Sequence, residues 1–270
     1  MPELPEVETV VRALDPQLSG RTITAFRCQW PRHIDRPALE EFQQQIIGRQ
    51  IQDVSRRGKF ILISLDQQSV LIIHLRMSGH LAVVNKSLPG DKHVHTIFEL
   101  DSGQELRFRD TRKFGRLYLV DDKQEVLGKL GPEPLSAAFT AGLLEEIMSS
   151  RRRILKPFLL DQTIIAGIGN IYADEALFHA QLLPTRRTDS LTSAEIHALH
   201  DAIQVVLQQG IAREGASIST YIKPDGEKGD MQNAVQVFRR TGQTCYRCGH
   251  TIERIIVGGR STHFCPSCQK

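Results

Sequence analysis

Near the start of the chain, Val7, Val10, Val11 and Leu14 fall at i, i+3, i+4 and i+7, the spacing of one apolar helix face. Pro5 suits the first turn of such a helix, and Glu6 and Glu8 suit the positive end of its dipole. Pro16 and Gly20 break the pattern. Thr22 to Cys28 then reads as a strand, and Pro37 to Ile47 as a helix on the spacing of Leu39, Phe42 and Ile46, ending at Gly48. Strand-like runs separated by turn residues follow: Ile51–Ser55, Phe60–Leu65, Val70–Leu75, Leu81–Val84, His95–Leu100, Glu105–Arg109 and Arg116–Val120. So many short strands in one block predict an antiparallel sandwich or barrel.

The period changes at Leu130-Gly131-Pro132-Glu133-Pro134-Leu135. Beyond it, Phe139–Met148, Tyr172–Ala180 and Ser193–Gln209 read as helices. Residues 212–234 are polar and carry Gly215, Gly226 and Gly229, which predicts a mobile loop. The expected organisation is α+β and multidomain: a β-domain over 1–131, a helical domain over 132–234 and a cysteine module over 235–270.

Composition narrows the class. The 270 residues, 40% of them hydrophobic, can bury a sizeable core. No run approaches the ~20 apolar residues of a membrane span, and the charged, proline-rich start is no signal peptide, so a soluble cytosolic protein is expected. The net charge of +3 says little, but residues 236–270 hold six Lys/Arg against the single acid Glu253. Such a basic segment suits a polyanion. Within it, Cys245-x2-Cys248 and Cys265-x2-Cys268 form two knuckles sixteen residues apart. That is a four-thiolate zinc pattern, and four protein ligands make one closed, structural Zn2+ site. Ile255-Ile256-Val257 and Arg260–Phe264 read as a hairpin around Gly258-Gly259, with Arg260 at its tip. Cys28, alone in a strand, reads as a plain packing residue.

The second residue is small, so Met1 is expected to be removed, leaving Pro2 as a free secondary amine. An α-amine has a pKa near ~8 against ~10.4 for lysine, so at pH 7.4 roughly a fifth is neutral against about a thousandth. A neutral amine can attack a carbonyl carbon, and a secondary amine gives an iminium that stays cationic. Glu3 supplies a carboxyl group one residue away.

These residues, PELPEVE over 2–8, closely resemble the start of the formamidopyrimidine-DNA glycosylases, bacterial base-excision repair enzymes. The resemblance implies that Pro2 is the nucleophile and Glu3 an acid/base. It extends in order along the chain. Lys59 in RRGKF resembles the family's catalytic lysine, and Arg260 its zinc-finger arginine, which contacts phosphate at the lesion and serves the second elimination. His74-Leu75-Arg76-Met77-Ser78-Gly79 and Asp110-Thr111-Arg112-Lys113-Phe114-Gly115 resemble the loops that fill the gap left by an everted base, with Met77, Arg112 and Phe114 as wedge residues. Thr111 and Lys113 stand where the family usually has proline and arginine. The resemblance also implies DNA contacts at His74, His93, Arg151, Lys156 and Asn170. Asn170 follows Gly167-Ile168-Gly169, where it can cap the next helix, as in the family's helix–two-turn–helix element. A lesion-capping loop would span 214–230.

The implied fold is an N-terminal antiparallel β-sandwich with flanking helices, a helix–two-turn–helix domain and a C-terminal β-hairpin zinc finger, with DNA in a cleft between the halves. The implied activity is that of a bifunctional DNA glycosylase/AP lyase acting on oxidised purines through a Pro2 Schiff base, with β- then δ-elimination. Its partner would be double-stranded DNA with oxidised bases or abasic sites, bound by a monomer near the bacterial nucleoid. Two alternatives stay open: an endonuclease VIII-like enzyme for oxidised pyrimidines, and a non-catalytic zinc-finger DNA-binding protein.

Overall fold

The computed structural model describes residues 1–218 and 220–270. By their internal packing these fall into two units, Met1–Lys129 with Arg213–Asp230, and Leu130–Ala212 with Met231–Lys270.

The first unit opens with helix α1 (Leu4–Leu18). Its stripe of Val7, Val10, Val11, Leu14 and Leu18 is buried. Each such side chain contributes roughly 1.5–3 kcal/mol on leaving water. The helix runs through Pro16, where the sequence pattern stops. A proline near the C-terminal end removes one backbone bond, and the burial of Leu18 holds the last turn. Strands β1 (Ile23–Cys28) and β2 (Ile34–Arg36) are followed by helix α2 (Leu39–Ile46). Then come β3 (Ile51–Arg57), β4 (Phe60–Leu65), β5 (Val70–His74), β6 (Gly79–Asn85), β7 (Val94–Leu100), β8 (Gln104–Asp110), β9 (Arg116–Val120) and the short helix α3 (Gln124–Leu127).

These strands make two sheets, ordered β1-β7-β8-β6 and β2-β9-β5-β4-β3. All pairs are antiparallel except the three-residue β2, which runs parallel to β9 and was not legible in the sequence. The sheets share one core with α1 and α2, in which Phe26 packs against Phe42 and Phe98 at centroid separations of 5.0 and 5.2 Å. The sandwich is thus the expected one.

The second unit carries α4 (Ala141–Ser149), α5 (Leu155–Leu160), α6 (Asn170–His179), α7 (Ser193–Ala212) and a hairpin of β10 (Glu253–Val257) and β11 (Arg260–Phe264). Thr140 Oγ1 caps α4 by accepting from the Leu143 N–H at 3.1 Å. Helix α7 meets α6 closely at Gly210, where a Cβ would stand 2.5 Å from the Tyr172 ring. The turn before α6 is closed by Gln162, which accepts from the Gly167 N–H (2.9 Å) and donates to the Ile168 carbonyl (2.8 Å). The zinc-finger cysteines Cys245 and Cys265 share a small core with Phe178 of α6, Val237 and Ile252. No helix among the described residues is long and apolar enough to cross a membrane. The segment Arg213–Asp230, expected with the helical domain, packs with the first unit.

Candidate active site and nucleic-acid interface

The N-terminus is built by the first turn of α1. Glu3 occupies the N-cap in extended conformation, and its N–H donates to Glu6 Oε2 at 2.7 Å. Glu6 also accepts from the Ala216 N–H at 2.8 Å, tying the segment 213–230 to the same turn. Pro2, Glu3, Glu6 and Lys59 are all buried. Lys59 reaches this place because Arg56, whose Nε binds Glu8 on α1 at 2.9 Å, also donates to the Gly58 carbonyl at 3.1 Å and fixes the β3–β4 turn.

In the full-length sequence the N-terminal amine is that of Met1, one residue before Pro2. Burial pulls its pKa below the usual α-amine value; Lys59 and Arg112 pull it the same way, against the carboxylates of Glu3 and Glu6. A nucleophilic amine, two carboxylates and a lysine therefore feel one another electrostatically, which is the constellation amine-based covalent catalysis requires.

His74, at the end of β5, is buried and accepts from the Arg76 N–H through Nδ1 at 2.9 Å. Burial, with Arg76 and Lys59 nearby, lowers its pKa to about 3. With Nδ1 accepting, the neutral ring sets the turn and carries its proton on Nε2. Beyond it, Met77 is 38% exposed, and its carbonyl accepts from Thr220 Oγ1 at 2.8 Å. Phe114, 47% exposed, lies beneath the Arg112 guanidinium at 4.8 Å from the ring centroid. Both loops carry a non-glycine residue at positive φ, Arg76 at 54° and Lys113 at 59°, so both are tightly bent. His93 is half-buried, its N–H bound to Asp91 Oδ1 at 2.7 Å.

In the second unit, Arg151 is exposed, its guanidinium donates to the Ile147 carbonyl and Ser150 Oγ, and its carbonyl accepts from the Thr188 hydroxyl. Lys156 and Asn170 come together on the hairpin: Lys156 Nζ donates to the Ser261 carbonyl at 2.7 Å and Asn170 Nδ2 to the same oxygen at 3.1 Å. Lys156 is fully buried, with Nζ 2.6 Å from Asp174 Oδ1. Asp174 Oδ2 in turn accepts from the His263 N–H at 2.9 Å. Asn170 is thus the first residue of α6, with Gly169 at the N-cap, contrary to the expected cap. These bonds set the hairpin next to α6 and hold Arg260, exposed at the start of β11, beyond the Gly258-Gly259 turn. Asp174→Ala should destabilise the protein by about 3–5 kcal/mol, because it leaves the Lys156 ammonium buried without its counter-charge. A urea unfolding midpoint that does not move would contradict this.

The four thiolates of Cys245, Cys248, Cys265 and Cys268 lie within 4.8 Å of one another, with Cys248–Cys265 at 3.4 Å and Cys245–Cys268 at 4.0 Å. Tetrahedral zinc with bonds near ~2.3 Å requires sulfur separations of about 3.8 Å, so the set fits the ion. The site is structural, since four protein ligands leave no position open.

The sequence reading missed Glu6 as a two-sided acceptor, and Asp110, Asp174 and Glu175 altogether. Glu175 is buried and accepts from the N–H groups of Gln236, Val237 and Phe238 at 2.7–3.0 Å; desolvation raises its pKa. Only Glu6 had a signal, its place three residues after the N-cap.

Known proteins resemble the chain throughout. Residues 1–117 match the formamidopyrimidine-DNA glycosylase N-terminal domain, 130–222 the formamidopyrimidine-DNA glycosylase H2TH domain, and 242–270 the zinc finger found in FPG and IleRS. The formamidopyrimidine-DNA glycosylase of Protochlamydia amoebophila is 46% identical over 100% of both chains, and that of Chloroflexus aurantiacus 48% over 100% of this chain and 98% of its own. A Lactococcus lactis FPG variant solved in complex with Fapy-dG containing DNA superposes with a TM-score of 0.93 at 39% identity, covering 100% of both chains. The Lactococcus lactis protein solved with abasic-site DNA gives 0.92 at 40% identity, covering 99% of each. The chain belongs to the formamidopyrimidine-DNA glycosylase family.

Proposed function

We propose that this protein is a bifunctional DNA glycosylase/AP lyase of base excision repair, removing oxidised purines such as 8-oxoguanine and formamidopyrimidines from duplex DNA. The observation that supports the reading is the joint burial of Pro2, Glu3, Glu6 and Lys59 at the N-terminus, where the pKa of the Met1 amine is lowered.

Once Met1 is removed, the Pro2 nitrogen attacks C1′ of the everted nucleotide. The N–C1′ bond forms as the glycosidic bond breaks, its electrons leave with the base, and Glu3 assists the proton transfers. The prolyl nitrogen loses its proton and the C1′–O4′ bond then breaks, O4′ taking a proton from Glu3 as the sugar ring opens. The resulting iminium draws electrons from C1′ and acidifies the 2′ hydrogens. Loss of one expels the 3′ phosphate, and a second elimination expels the 5′ phosphate. Lys59 and Arg260 would serve these eliminations as cations beside the departing phosphates. His93, Arg151, Lys156 and Asn170 are proposed as DNA-side residues. For the buried His74 and Lys156 the support favours setting the turn and the hairpin rather than direct salt links. The structural zinc holds the hairpin that carries Arg260 and takes no part in the chemistry. We keep 1–131, 132–234 and 235–270 as functional divisions and place the protein with the bacterial nucleoid, because its substrate is chromosomal DNA.

Strand-scission analysis of duplexes carrying one 8-oxoguanine or one oxidised pyrimidine tests the reading. Preferential cutting at the purine is expected, and cutting only at the pyrimidine would move the chain to the pyrimidine-specific activity. The wedge residues give a second test. Stacked bases must be extruded before chemistry, at a cost of a few kcal/mol. Met77→Ala and Phe114→Ala should therefore slow excision from intact duplex more than cleavage of a preformed abasic site. Equal losses on both substrates would mean that the two side chains only support the fold.

A further inference from the structure

The two loops that carry Met77 and Phe114 are joined at one carboxylate. Asp110, the last residue of β8, is fully buried. Its Oδ1 accepts from the Ser78 hydroxyl at 2.5 Å and from the Arg112 N–H at 3.2 Å, and its Oδ2 accepts from the Gly115 N–H at 2.8 Å. Ser78 Oγ accepts from the same Arg112 N–H at 3.1 Å, closing a small ring of bonds between the loops. The Asp110 N–H donates to the His93 carbonyl at 2.9 Å, and strand pairing sets Asp110 opposite Gly79.

Packing repeats the link. A Cβ on Gly79 would stand 2.8 Å from the Phe108 ring, and a Cβ on Gly115 2.3 Å from it, so both loops close onto Phe108 and both need glycine there. His33 packs against both, 5.0 Å from Phe108 between centroids and 3.7 Å from Asp110 Oδ2 through Nε2. Burial opposes ionisation of Asp110, but His33, Ser78 and the amides of Gly115 and Arg112 outweigh it and keep the carboxyl far below the usual carboxylate range. The acceptor is therefore ionised at all working pH values, when its bonds to donors are strongest.

We propose that Asp110 is a positioning residue that fixes the Met77 loop and the Arg112–Phe114 loop as one rigid unit, so that both side chains enter the duplex together. The inference rests on the wedge reading given above. Two separately mobile loops would each lose freedom on insertion, whereas a pre-joined pair has lost it already on folding.

The test uses the untagged full chain under single-turnover conditions, with an 8-oxoguanine duplex and a preformed abasic duplex. Asp110→Asn and Ser78→Ala are measured alone and combined with Phe114→Ala. Asp110→Asn should slow base excision about tenfold and abasic cleavage about twofold, and in the Phe114→Ala background its effect on excision should shrink to about twofold, because coupled residues are not additive. Ser78→Ala should show the same pattern at smaller size, and it decides the matter if Asp110→Asn fails to fold. If Phe114→Ala is selective for the intact base while the Asp110 and Ser78 effects multiply with it unchanged, the link is refuted and the wedge stands. If Phe114→Ala is itself unselective, the wedge reading falls and the proposal with it.

Discussion

Borohydride added during turnover should leave a covalent protein–DNA adduct whose crosslinked peptide begins at Pro2. Reduction traps an iminium only where an amine has attacked the sugar, so the adduct reports the nucleophile directly. A chain that keeps Met1, or carries an N-terminal tag, should form no adduct through Pro2. Pro2→Gly retains an α-amine but loses the secondary nitrogen and the fixed φ. It should trap weakly and remove bases much more slowly than the native chain. Glu3→Gln should bind lesion DNA yet lose about 10²–10⁴-fold in base removal, the usual worth of a positioned acid/base, while cutting a preformed abasic site better than it excises a base. Lys59 is buried beside the same amine and is the rival nucleophile. A crosslink at Lys59 in the untagged chain would overturn the assignment to Pro2.

Cys248→Ser should lower zinc content from one ion per chain, weaken DNA binding sharply and leave the N-terminal sandwich folded. A closed four-thiolate site supplies about 10–16 kcal/mol to its own small module, which has few other means of folding. The apolar cluster around Cys245 and Cys265 amounts to Phe178, Val237 and Ile252, with Cys268 partly buried against it. That is little core for a segment of this length. With the ion lost, the β10–β11 hairpin loses its anchor and Arg260 its fixed position. Chelation of the native protein should give the same phenotype, reversed by added Zn2+. Metal analysis of freshly purified protein, with near-ultraviolet dichroism for the sandwich, measures both halves of this expectation. Finding no zinc would reject the site, and collapse of the whole chain would show that the sandwich depends on the finger.

Much of this protein was determined by short-range chemistry that a sequence displays. The α1 stripe, the strand block and the two cysteine knuckles each depend on residue type at fixed spacing, and each lies where the spacing puts it. Short elements held by distant partners were not legible. Strand β2 exists because β9 pairs with it, and α5 is too brief for its period to stand out. The roles of buried polar residues were decided by tertiary structure alone. Lys156 reads as a DNA contact from the resemblance, and only the fold shows it buried against Asp174 on another helix. His74 reads as a DNA contact, and only the fold shows it buried with Nδ1 accepting from the Arg76 N–H. Asp110 carried no signal, because its three donors come from two loops that meet only when β6 and β8 pair. A carboxylate's function depends on which donors surround it, and for these residues the donors are set by the fold.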